Sequence, residues 1–241
     1  MEKRDMSDIK AILWDVDGTI LDFKAAQKNA IRACFEHFYL GNCSDEMLAV
    51  YDGINTKYWK ALERGELTRE EVLLGRFYEF FNMYGLNTNV VPDFNEMYQV
   101  RLGDTICFYP GVKEALVKFK DMGILQYAVT NGTKVAQDRK LSRSGLIDIF
   151  ENVYISEEVG YEKPNQMFFW PVLLDIRQHI PNIEYDQILI VGDSLTSDMQ
   201  GGINAGIATC WYKHPGEVND RYMKLDHIIT DFARLVDIVI K

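Results

Sequence analysis

The apolar run from Ile9 to Leu13 ends in Trp14-Asp15-Val16-Asp17-Gly18-Thr19-Ile20-Leu21, and this junction constrains the fold more than any other stretch. A short apolar run closed by a glycine reads as a buried strand entering a tight loop. Two carboxylates then stand at the carboxyl end of that strand, where open α/β sheets bind their ligands. Their charge attracts a cation, and Mg²⁺ favours a site of few carboxylates completed by water and substrate phosphate. One carboxylate can attack a phosphorus while the other handles the leaving-group proton. An acidic β-turn uses the same residue types for backbone reasons alone, so the rest of the chain has to decide.

From Asp22 onward the periodicity becomes helical. Ala26, Ala30, Ile31, Ala33, Cys34, Phe35 and Phe38 recur at three- and four-residue spacing and give one apolar face. A second helix is expected from Asp45 to Leu62. A third opens at Thr68, with Glu71 completing a capping box, and ends near Gly85. A fourth runs from about Pro92 to Leu102. Successive helices joined by short turns predict a small bundle, and most of its aromatics read as core.

Beyond Tyr109-Pro110-Gly111 helix and strand alternate. Helices are expected over 112–122, 133–144, 164–180, 195–205 and 231–240, and strands over 124–129, 153–155, 187–191, 208–211 and 228–229. Pro171 inside a helical stretch predicts a kink or a restart. This alternation predicts an α/β fold, a doubly wound parallel sheet covered on both faces, with the bundle inserted after the first strand. The expected division is an α/β core of residues 1–21 and 105–241 and a helical insertion of residues 22–104.

The 241 residues suffice for a substantial core. A net charge of −10 argues against a sequence-independent grip on nucleic acid and against an anionic membrane as partner. A phosphate ester would need local cations or a metal to offset that field. Cys34, Cys43, Cys107 and Cys210 form no close-spaced pair, which fits free thiols in a reducing compartment. His37, His179, His214 and His227 are isolated and read as surface or core residues rather than zinc ligands. No apolar signal core opens the chain and no run is long enough to span a bilayer, so the expectation is a soluble, cytoplasmic protein.

Three further strand ends carry polar residues. Thr130-Asn131-Gly132 offers a hydroxyl, an amide and main-chain N–H groups at a helix start, either as an anion cradle or as a simple cap. Lys163-Pro164 places an ammonium before a helix, to pair with a phosphate and a carboxylate or to lie in solvent. Gly192-Asp193-Ser194 and Asp198 put carboxylates at a strand tip and in the following turn, as Mg²⁺ ligands or as complements to a helix dipole.

Taken in order, these segments read DxDGT, TNG, KP and GDSxxxD. The constellation resembles the haloacid dehalogenase-like (HAD) hydrolase superfamily over essentially the whole chain, with the insertion similar to that family's C1-type helical cap. The resemblance implies a Rossmann-like core and a Mg²⁺-dependent phosphomonoesterase. It implies Asp15 as the nucleophile that forms an aspartyl-phosphate, and Asp17 as general acid/base with a backbone carbonyl on the metal. Thr130, Asn131 and Lys163 would hold the phosphoryl group, Asp193 would be a direct metal ligand, and Asp198 a supporting one.

A narrower resemblance rests on residues 155–165, on Gly201-Gly202-Ile203-Asn204-Ala205-Gly206, and on Gly65-Glu66-Leu67-Thr68 with Gly75-Arg76-Phe77. These segments are similar to the YjjG-type pyrimidine 5′-nucleotidases, although that subgroup can carry Glu where Gly18 stands. The substrate implied is a small phosphorylated metabolite such as a nucleoside 5′-monophosphate. Phe23, Trp59, Arg76 and Phe77 are candidates for stacking on or hydrogen-bonding a base, or else bundle core and a surface charge. The rival readings are a phosphatase of phosphoglycolate or a sugar phosphate, a phosphosugar mutase, a 2-haloacid dehalogenase, and a non-catalytic binding protein. Asp17 argues against the dehalogenase, and retention of both Asp15 and Asp17 argues against the binding protein. The oligomeric state, monomer or homodimer, stays open.

Overall fold

Every residue of the strand leading to Asp15 is buried, the pattern of a strand covered on both faces. In the computed structural model, which describes residues 8–240, this strand is β1 (Ala11–Trp14). It is followed by α1 (Phe23–His37), α2 (Asp45–Glu63), α3 (Arg69–Met83) and α4 (Val91–Leu102). Alternation then begins with α5 (Val112–Asp121), β2 (Leu125–Thr130), α6 (Lys134–Ser144), β3 (Asn152–Ile155), α7 (Ser156–Val159) and α8 (Gln166–His179). The chain ends with β4 (Ile188–Gly192), α9 (Gln200–Ala205), β5 (Ala208–Tyr212), β6 (His227–Ile229) and α10 (Phe232–Val239).

The strands form one six-stranded sheet in the order β3-β2-β1-β4-β5-β6, and every pairing is parallel. The chain builds outward from β1 through β2 to β3, then returns to the other side of β1 for β4, β5 and β6. That reversal is a topological switch point, and it opens a crevice at the carboxyl ends of β1 and its neighbours. Trp14 is in register with Ala128 of β2 and Val191 of β4, so Asp15 emerges level with Val129, next to last in β2, and with Gly192, the last residue of β4.

The chain divides into two compact units. The α/β unit comprises the chain through Asp22, Cys107–Lys134 and Ser144 onward; the helical unit comprises Phe23–Ile106 and Val135–Arg143. This division differs from the expected one at Asp22, which groups with the α/β unit, and at residues 105–106 and 135–143, which group with the helical unit. The Arg139 guanidinium bonds Asp104 Oδ1 from Nε at 2.9 Å, and a side chain on Gly103 would lie 2.5 Å from Arg139 Cγ. Ala136 joins the apolar cluster of the helical unit. That cluster is built on Phe35, Tyr51, Phe77, Phe80, Phe81, Phe94 and Tyr98, which are fully buried or within 1% of it.

The capping box at Thr68 is present: Glu71 Oε2 accepts the Thr68 N–H at 2.7 Å, and Thr68 Oγ1 accepts the Glu71 N–H at 3.3 Å. The expectation of a kink or restart at Pro171 meets a helix that continues through it. Proline there removes the N–H that would meet the Met167 carbonyl and crowds that oxygen, yet the helix runs on to His179. The segment before α9 also differs from expectation. Leu195–Met199 is a π-helical turn, with Ser194 Oγ accepting the Ser197 N–H at 3.1 Å. All four cysteines are free. Among the described residues no helix is long and apolar enough to cross a membrane.

Candidate active site

The crevice at the switch point gathers carboxylates from two loops around one ammonium. Asp15 follows β1 directly, and its N–H bonds the Val191 carbonyl at 2.9 Å, which pins the tip of β1 to β4. Asp193 and Asp198 come from the loop and π-helical turn after β4. One carboxylate oxygen from each of Asp15, Asp193 and Asp198 lies within 4.8 Å of the others. Two glycines make this approach possible. A side chain on Gly192 would lie 2.3 Å from Asp198 Cγ, and one on Gly18, whose φ is +96°, would lie 2.5 Å from Asp193 Oδ2.

Lys163 is fully buried and bridges this group. Its Nζ donates to Asp15 Oδ1 at 2.8 Å, to Asp198 Oδ1 at 2.6 Å and to the Val129 carbonyl at 2.8 Å. All three ammonium protons are thereby used. Although burial works against it, Asp15 and Asp198 raise the Lys163 pKa, so the side chain stays charged. Burial pushes the Asp15 carboxyl up to about 7, against the pull of Lys163 and with Asp198 adding to the push. Burial, with Asp15 and Asp198 beside it, drives Asp193 well above the ordinary carboxylate range. One ammonium therefore offsets only part of the negative charge collected here.

The loop after β2 is tied to the Lys163 segment. Asn131 Nδ2 donates to the Lys163 carbonyl at 2.9 Å, while the Lys163 N–H donates to Asn131 Oδ1 at 2.8 Å. The Asn131 amide thus orients the lysine backbone. Thr130 is buried, and its Oγ1 accepts the Gly132 N–H at 3.1 Å, so the hydroxyl proton is left to donate elsewhere. Lys163-Pro164 is a cis peptide.

Several supporting residues escaped the sequence reading. Thr19 Oγ1 donates to Asp193 Oδ1 at 3.0 Å, and the Ser194 N–H donates to Asp198 Oδ2 at 3.0 Å. The Trp211 indole donates to the Asp193 carbonyl at 2.7 Å, and His214 Nε2 lies 2.7 Å from the Gly18 carbonyl. Thr19 and Ser194 stand inside the DxDGT and GDS motifs and could have been found there. Trp211 and His214 act on main-chain oxygens of distant loops, and no residue pattern announces that.

The helical unit holds the remaining candidates. Phe77 is fully buried, stacked 5.1 Å from Tyr51 and edge-on to Phe94 and Tyr98, so it belongs to that unit's interior. Arg76 is buried as well, with Nη1 donating to Asn55 Oδ1 at 2.7 Å and Nη2 to Asn95 Oδ1 at 3.4 Å. It is neither a surface charge nor paired with a carboxylate among the described residues. Trp59 is half-buried, with its indole N–H on Asn55 Oδ1 at 3.1 Å and the Arg76 guanidinium 5.8 Å from its ring. Phe23 is also half-buried, with the Lys140 ammonium 5.3 Å from its ring centroid.

The acidic group fits a divalent cation. Asp15 Oδ2 is buried and has no hydrogen-bond partner among the described residues. The available donors are hard carboxylate oxygens without thiolate or imidazole, a set suited to Mg²⁺ rather than to a soft transition metal. The Asp17 side chain is not part of this group.

A family model described as haloacid dehalogenase-like hydrolase matches residues 12–212. The putative HAD-hydrolase YfnB of Bacillus subtilis is 35% identical over 206 residues, covering 86% of this chain and 85% of its own. The crystal structure of YfnB bound to magnesium superposes with a TM-score of 0.86 at 31% identity, covering 96% of this chain and 98% of the other. The pyrimidine 5′-nucleotidase PynA of Streptococcus pneumoniae is 32% identical over 205 residues, covering 84% of this chain and 83% of its own. The pyrimidine 5′-nucleotidase YjjG of Escherichia coli is 33% identical over 201 residues, covering 83% and 84%.

Proposed function

The chain belongs to the haloacid dehalogenase-like hydrolase family, and from that premise we propose that it is a Mg²⁺-dependent phosphomonoester hydrolase acting on nucleoside 5′-monophosphates through an aspartyl-phosphate. The observation that carries this reading is the buried Asp15 carboxylate, with one oxygen held by Lys163 and the other unpartnered, in a carboxyl that groups with those of Asp193 and Asp198.

In this reading Asp15, Asp193 and Asp198, with the main-chain carbonyl of Asp17, would hold Mg²⁺, which would supply positive charge against the phosphoryl oxygens. The Thr130 hydroxyl and the Asn131-Gly132 turn would hold the same oxygens from the β2 side, and the Lys163 ammonium, whose protons go to Asp15, Asp198 and the Val129 carbonyl, adds positive charge beside them. An Asp15 oxygen attacks phosphorus as the ester P–O bond breaks, and Asp17 gives its proton to the leaving oxygen. Asp17 then takes a proton from water as that water attacks phosphorus. The bond between phosphorus and the Asp15 oxygen breaks, and Asp15 and inorganic phosphate are regenerated. Lys163 keeps its proton throughout, since two carboxylates raise its pKa.

The nucleotide part of the proposal is supported by the similarity to PynA and YjjG. Of the helical unit's candidates for a base, Phe23 and Trp59 keep half-buried rings, and the Arg76 guanidinium lies 5.8 Å from the Trp59 ring. Phe77 enters only as interior packing of the helical unit. The test is phosphate release from nucleoside monophosphates, sugar phosphates and phosphoglycolate, with and without Mg²⁺. Metal-dependent release with kcat/KM highest on pyrimidine nucleotides is the expected result. Release confined to sugar phosphates would overturn the substrate, and silence on every ester would overturn the chemistry.

A further inference from the structure

We propose that His214 is a positioning residue that holds the first acidic loop in register with the second, an inference that rests on the reading of Asp17 as the acid/base. His214 Nε2 lies 2.7 Å from the Gly18 carbonyl. A carbonyl only accepts, so Nε2 carries the proton whatever the state of Nδ1. Gly18 is the residue after Asp17. Its own N–H is held by the Leu21 carbonyl at 2.9 Å, and its α-carbon packs against the Asp193 carboxylate with no room for a side chain. The peptide that follows Asp17 is held through the Gly18 N–H, and the next one through the Gly18 carbonyl.

The imidazole is itself held in place. Its ring lies 5.0 Å from that of Tyr109 and 4.8 Å from that of Tyr212, and the His214 main-chain N–H bonds Glu217 Oε2 at 2.9 Å. Two residues before Tyr212's neighbour Lys213, at the end of β5, Trp211 gives its indole N–H to the Asp193 carbonyl at 2.7 Å. The end of β5 thus donates one ring N–H to each of the two loops that carry the acidic residues. Both ring nitrogens meet main-chain carbonyls and not carboxylates. Their effect is to set the separation between the Asp17 peptide and Asp193, and misplacement of an acid/base by a fraction of an ångström lowers turnover without weakening substrate binding.

The test compares His214→Phe, which keeps a ring between the tyrosines but has no donor, with His214→Gln, whose amide N–H can reach the same carbonyl. The assay is hydrolysis of p-nitrophenyl phosphate with Mg²⁺, with Asp15→Asn run in parallel. His214→Phe should lower kcat by roughly 10- to 100-fold, with KM within about twofold of wild type. His214→Gln should recover most of that loss. In wild-type protein the His214 Nε2–H resonance should be protected from solvent exchange by NMR, with or without metal. The proposal is overturned if that proton exchanges freely, if His214→Phe keeps wild-type kcat, or if Gln fails to rescue it in a protein of wild-type Tm. Inactive Asp15→Asn with fully active His214→Phe would sink the positioning role alone; fully active Asp15→Asn would sink the functional reading beneath it.

Discussion

The Lys163 ammonium lies 2.8 Å from Asp15 Oδ1, across 148 residues of chain, in a site closed to solvent on the lysine side. The same nitrogen meets Asp198 at 2.6 Å. It is the counter-charge that lets two buried carboxylates stand side by side. Lys163→Met would remove that charge with little change in volume and leave the acids facing each other. Urea unfolding in EDTA at neutral pH should show a loss of about 3–5 kcal/mol, the usual cost of leaving a buried charge uncompensated. A loss below about 1 kcal/mol would show that water, and not Lys163, keeps the acids apart.

Crowded carboxylates also predict how the metal affects stability. A ligand that binds only the folded state at 100 times its Kd stabilises by about 2.7 kcal/mol, so Mg²⁺ should raise the Tm of the wild-type protein. Asp193→Asn keeps the shape of the side chain and its place beside Thr19 but removes one charge from the acidic group. The variant should melt higher than wild type in EDTA and gain less from Mg²⁺. An equal Mg²⁺ shift in both proteins would contradict the ligand role of Asp193.

The helical unit supplies a pH-dependent ion cluster of its own. Burial alone would raise the Asp104 carboxyl, but its bonds to Arg139 and Arg101 outweigh that and hold it below the ordinary value. In the unfolded chain the group titrates near about 3.9. Its stabilisation is therefore present above that pH and is lost as pH falls through the lower folded value. Both guanidiniums are well exposed, so Asp104→Asn should cost about 0.5–1 kcal/mol at neutral pH. The gap between variant and wild type should close on acidification below the carboxylate range. A gap that persists in acid would show that Asp104 acts through packing and not through its charge.

Much of this arrangement is legible in the chain because each polar tip follows an apolar run. The run to Leu13 announces β1, and Asp15 is then forced to its carboxyl end; the runs before Thr130 and Asp193 work in the same way. The periodicity of Ala26 to Phe38 gives α1 its buried face, and Thr68 with Glu71 marks the start of α3 through two local hydrogen bonds. Other features depend on contacts between distant segments. The grouping of residues 135–143 with the helices depends on Arg139 meeting Asp104 and Gly103, and nothing local to 135–143 records it. Trp211 and His214 bond main-chain oxygens, which every residue possesses, so their partners leave no mark on residue type. Arg76 reads as a surface charge until Asn55 and Asn95 are seen to provide its acceptors inside the bundle.

The central claim, that Asp15 carries the phosphoryl group, is tested most directly by trapping it. Asp17→Asn should still be phosphorylated by p-nitrophenyl phosphate, whose leaving group needs no proton, but should be slow to activate water, so the acyl-phosphate accumulates. Borohydride reduction followed by peptide mass spectrometry should then find homoserine at position 15, dependent on both Mg²⁺ and the ester. Continued turnover by the wild type with aspartate intact at position 15 in the trapped variant, or with homoserine at another carboxylate, would contradict the account.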